Sequence, residues 1–223
     1  MKHSGSLIAL SLLTSGALAA SAQAATVPLQ IPGLADAKVP AAIGLGLDAS
    51  WQHPVFPAGA PANAASYSLQ QTSALSDGAT CVRGVWAVGV ALKPKERPTL
   101  AGDTLRLPTE GSLLPRMKVD RRGTAGATRW YAGALRHEAG NETQQGVAVL
   151  PAPSWAVRGG RSVVAVRVAT GLNVRHDAPD GSTLPVTDAE RSECYTSRSA
   201  QLGPQLRTLL RRVTVRRRPS PAS

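Results

Sequence analysis

The chain has 223 residues, 43% of them hydrophobic and only 4% aromatic, and a formal charge of +11 at pH 7. That is enough for one domain of ordinary size with a core, plus an arm or a tail. Beyond the first 24 residues no apolar run approaches the roughly 20 residues that a membrane-spanning helix needs.

Residues 1–24 read as an export signal. Lys2 supplies the positive start, Leu7 to Ala20 the apolar run, and Ala22-Gln23-Ala24 the small-x-small pattern that a signal peptidase cuts after. The mature chain then begins near Ala25, secreted or periplasmic, and no cysteine follows the cut to take a lipid anchor. Residues 25–65 are rich in Pro, Ala and Gly. Prolines at 28, 32, 40, 54, 57 and 61 point to an extended arm or linker without long helices or central strands. A β-rich globular domain is expected over 66–214, and a basic disordered tail over 215–223.

Within the domain, Cys81 to Leu92 (CVRGVWAVGVAL) is β-branched with near-period-2 alternation and reads as a strand. Asp103–Leu107 and Leu113–Val119 are shorter strand candidates, and Asp120-Arg121-Arg122-Gly123 reads as a turn. Thr128–Arg136 and Gly146–Leu150 suggest a hairpin around His137 to Gln145. Ser162–Arg175 is the clearest strand, with Val164, Val166, Val168, Leu172 and Val174 on one face and a wet face opposite. Asp180-Gly181 marks a turn, after which Thr183–Val186 returns as a strand. Thr187 and Glu190 form a capping box for a helix running toward Ser199, and Pro204 is placed to start a second helix. In that second helix Leu206, Leu209, Leu210 and Val213 share a face suited to packing on the sheet. The fold class expected is mostly β, an antiparallel sheet or sandwich, with one or two C-terminal helices; α+β is the alternative.

Cys81 and Cys194 are the only cysteines, and in an exported chain an even count favours one disulfide. Seven arginines and no acid follow Cys194, so the high charge belongs to the C-terminus rather than to the body. Arg207, Arg211, Arg212, Arg216, Arg217 and Arg218 are therefore the candidate contacts for an anionic polymer or membrane surface. The alternative for this run is a solvated end that serves solubility.

Two segments share an R-H-acid-A pattern, Arg136-His137-Glu138-Ala139 and Arg175-His176-Asp177-Ala178. If their strands are neighbours, both loops lie at one end of the sheet. His137, His176, Glu138 and Asp177, with Asp180, are then candidates for acid–base chemistry or metal ligation. Polar turn chemistry explains the same residues. His53, before a proline in the arm, suggests no role. No H-E-x-x-H, G-x-S-x-G, P-loop or G-x-G-x-x-G motif occurs, so no metal, cofactor or nucleotide site is assigned. Trp86 reads as core, while Trp51, Trp130 and Trp155 are core or a carbohydrate platform. No specific nucleic acid partner is expected, because the aromatics do not interleave with the basic run. The favoured reading is an exported, disulfide-stabilised, non-catalytic envelope protein. The alternative is a secreted hydrolase or metal-dependent enzyme built on the His137 and His176 loops.

Overall fold

The computed structural model describes residues 25–27, 41–47, 50–51, 66–107, 116–138, 140–157 and 159–217. The export-signal segment, His53 and Arg218 lie outside them. The fold is mostly antiparallel β with one C-terminal helix.

The strands are β1 (Ala25–Val27), β2 (Ala41–Leu47), β3 (Ser66–Ala74), β4 (Thr80–Leu92), β5 (Thr99–Ala101), β6 (Thr104–Arg106) and β7 (Arg116–Lys118). They continue with β8 (Arg121–Ala125), β9 (Thr128–Ala132), β10 (Arg136–Glu138), β11 (Asn141–Pro151) and β12 (Val163–Arg175). Helix α1 (Asp188–Arg212) and β13 (Thr214–Arg217) complete the chain. The main sheet has the order β3-β4-β12-β11-β9-β8, with β10 also pairing β11. Its long central strands are the two β-branched runs, β4 and β12, paired from Val163↔Leu92 to Arg175↔Thr80.

Helix α1 lies across one face of this sheet. Leu206, Leu209, Leu210 and Val213 pack against Val85, Ala87, Val164, Val166 and Val168, as the apolar spacing predicts. The approach is close at Gly146, where a Cβ would lie 2.5 Å from Leu210 Cδ1 and 2.6 Å from the Tyr131 carbonyl oxygen. The opposite face is not uniformly wet. Val88, Val90, Leu92, Val163 and Ala165 are covered there by Leu105, Leu107 and Met117, which the small sheet β5-β6-β7 carries over them. The alternation along β12 therefore separates two cores rather than core from solvent.

Four other expectations differ from the structure. The 187–199 and 204-onward helices are one helix, with Pro204 inside it. Proline removes one backbone donor, but burial holds the helix on both sides of it, Leu202 in the cluster around the disulfide and Leu206 in the helix-side core. The turn at Asp120–Gly123 is mostly strand β8, an exposed edge strand that carries no apolar alternation to reveal it. Thr183–Val186 contributes only an isolated bridge, Asp177↔Thr183. The arm holds a proline-free strand, β2, at the centre of a three-stranded sheet β1-β2-β13, and Leu45, Leu47 and Trp51 enter the helix-side core. That pairing draws residues 215–217 of the expected tail into β13.

Candidate functional site

Helix α1 carries polar side chains on two flanks. Its entry is fixed by the capping box. Thr187 Oγ1 accepts from the Glu190 N–H at 3.2 Å, and the Glu190 carboxylate accepts from the Thr187 N–H at 2.7 Å. Four residues on, Cys194 is joined to Cys81 of β4, with 5.5 Å between the two Cα atoms. That spacing sits in the usual range for a disulfide.

On one flank, Arg191, Tyr195, Ser199, Gly203 and Arg207 recur every four residues and run along the β10–β11 hairpin. The Tyr195 hydroxyl donates to the Gly140 carbonyl, and Ser199 Oγ donates to Glu142. Gly203 faces the buried Gln144, whose amide donates to the Gly133 carbonyl at 2.7 Å. Gly140 has φ +77° and lies under the Arg191 side chain, so the turn takes a backbone conformation that side chains disfavour. Burial raises the Tyr195 phenol above its ordinary pKa, and the Glu142 charge adds to the rise.

His137 and His176 lie at the same end of the sheet, because β10 and β12 flank β11. His137 is in strand β10 rather than in a loop, since β10 runs on to Glu138 and Gly140 is in the turn. Each imidazole has found a carboxylate that was not among the candidates. His137 Nδ1 is 3.0 Å from Glu142, and His176 Nδ1 is 2.8 Å from Glu190. Glu142 and Glu190 are both buried. Glu190 is held below the usual carboxylate range, first by the Thr187 N–H and then by the Thr187 hydroxyl and His176, against the opposing effect of desolvation. Asp177 is 4.0 Å from Arg175 on the surface. Asp180 caps its own turn through Ser182, and these hydrogen bonds lower its pKa. The Glu138 side chain lies outside what the structure describes.

This arrangement differs from a nucleophilic triad. A triad needs an imidazole between hydroxyl and carboxylate, so that nitrogen can take the hydroxyl proton. Here Glu142 stands between His137 and Ser199 and accepts from both sides. Among the described residues no group of three or more His, Cys, Asp or Glu side chains is disposed to hold a metal ion. Glu142 was legible in sequence only as a charge opposite His137 in a short hairpin, and Glu190 only as the acid of a capping box.

The C-terminal arginines divide by what they touch. Arg211 stacks on Trp130, 5.1 Å from guanidinium carbon to ring centre, and the Arg212 stem lies against Gly46. Arg207 is half-buried, Arg211 and Arg212 are exposed, and Arg216 and Arg217 sit on β13 at the edge of its sheet. Trp51 and Trp130 are buried core residues. Trp155 packs half-buried against the helix-side core. Trp86 is half-buried on the opposite face, under Arg167 at 5.0 Å. No helix among the described residues is long and apolar enough to cross a membrane. Compared with protein-family models, curated proteins and solved structures, the chain matches none.

Proposed function

We propose that the protein is an exported, non-catalytic component of the cell envelope that touches an anionic polymer or membrane surface through its arginine-rich C-terminus. The observation that carries this reading is the mounting of the arginines. Arg207, Arg211 and Arg212 lie in the last turns of α1, with Arg211 braced on Trp130, and Arg216 and Arg217 belong to edge strand β13, so these charges sit on ordered elements. The Cys81–Cys194 disulfide supports an oxidising compartment. The signal-like residues 1–24 support export, with the mature chain beginning at Ala25. The hydrolase reading has less support, because Glu142 rather than an imidazole stands next to Ser199.

The test compares the wild type with R207Q/R216Q/R217Q/R218Q, which spares the packed Arg211 and Arg212. Heparin and vesicles containing anionic lipid serve as probes. Retention of the wild type and its loss in the variant, with unchanged circular dichroism, is the expected result. Equal retention would overturn the reading. The intact mass of the exported chain should begin at Ala25.

A further inference from the structure

A polar cavity of about 560 Å³ lies between α1 and the β3–β4 edge of the sheet, on the flank of the helix away from His137. The size suits a small ligand. We propose that it binds an acidic saccharide, a hydroxylated ring carrying a carboxylate or a phosphate. The site goes beyond the surface contact proposed above and does not depend on it.

Two guanidiniums face the cavity, Arg83 from β4 and Arg198 from α1. Both are held in place before any ligand arrives. Arg83 stacks on Trp51 at 5.2 Å and donates to Gln71 and to Gln201, the latter at 3.3 Å. Arg198 donates to Ser73 at 3.0 Å and to Ser197 at 2.8 Å. The rest of the described lining is hydroxyl and carboxamide, apart from Cys81, and includes no carboxylate. Glu193, one helical turn before Ser197, is engaged by the Ser76 hydroxyl at 2.6 Å and by its N–H.

Planar guanidinium forks match carboxylate and phosphate oxygens. Hydroxyls and carboxamides both donate and accept, which suits ring hydroxyls rather than an apolar body. The disulfide sets the spacing of the two forks. Arg83 is two residues from Cys81 on β4, and Arg198 is four from Cys194 on α1. Covalent closure there fixes the two elements that carry the charges.

The experiment is calorimetric titration of the oxidised mature protein with glucuronate, glucose 6-phosphate, glucose and inorganic phosphate. Binding of one or both acidic sugars, about tenfold or more tighter than glucose and inorganic phosphate, is expected. Which of the two binds distinguishes a uronic acid from a sugar phosphate. R198Q and R83K should each weaken that binding about tenfold, while R207Q/R216Q/R217Q/R218Q leaves it unchanged. R198Q changes a helix-surface side chain, and R83K keeps the charge but removes the fork, so fold and site effects separate. The proposal is overturned by absence of binding at millimolar sugar, by glucose or phosphate binding as well as the acidic sugars, or by folded R198Q and R83K that bind like wild type.

Discussion

Glu190 is buried at the first turn of α1 with Thr187 and His176 as its partners. Its pKa is lowered on folding, so its contribution to stability is complete above the unfolded carboxylate value, about 4.3. That contribution is lost as pH falls through the lower folded value. Melting curves of wild type and Glu190→Gln should therefore differ most near neutrality and converge in acid; a gap that widens toward acid would contradict this. Thr187→Ala removes the hydroxyl cap from the same turn and should cost about 1 kcal/mol in denaturant unfolding. Gly146→Ala tests the close approach of helix to sheet. Its Cβ would meet the Tyr131 carbonyl, which cannot move without breaking the β9–β11 ladder. A loss of about 1–3 kcal/mol is expected, and a neutral result would mean that both α1 and the β9–β11 ladder give way at this point.

At the scale of elements, the long strands and the helix face were legible because they follow simple periods. β4 and β12 alternate with β-branched residues, and Leu206, Leu209 and Leu210 recur at helical spacing. The misses have the opposite character. β8 and β10 are short, polar and exposed, so nothing in their sequence separates strand from turn. The helix passes through Pro204 because tertiary burial on both sides outweighs one missing donor. The polar partners were hidden for a related reason: Glu142 and Glu190 meet the two histidines through strand pairing and the helix entry, and sequence spacing does not encode either. Continuity of α1 also has a practical consequence. Truncation at Ser199 would remove the buried Leu202, Leu206, Leu209 and Leu210 along with the arginines. Such a protein should fail to fold, whereas R207Q/R216Q/R217Q/R218Q keeps those leucines and should leave thermal unfolding nearly unchanged.

For the whole molecule, the disulfide closes a loop of 113 residues and ties the C-terminal helix to a central strand. The chain-entropy model gives about 4 to 5 kcal/mol for a closure of this length. Reduction, or Cys81→Ser with Cys194→Ser, should lower the unfolding midpoint strongly and loosen both flanks of α1 together. An unchanged midpoint would show that the sheet and helix core suffice without the bridge. The basic charge is concentrated where the chain ends, on α1 and β13, while the sheet beneath supplies the apolar core. Charged edge strands also discourage sheet-to-sheet aggregation. That role would make Arg216 and Arg217 matter for solubility even with no polymer bound.

The measurement that tests the central claim most directly is the salt dependence of heparin affinity for the wild type and for R207Q/R216Q/R217Q/R218Q. Counterion release makes the logarithm of the binding constant fall linearly with the logarithm of salt concentration. The account predicts a steep slope for the wild type, reduced in magnitude by about one for each contacting arginine neutralised. The same affinity and slope in both proteins would contradict it.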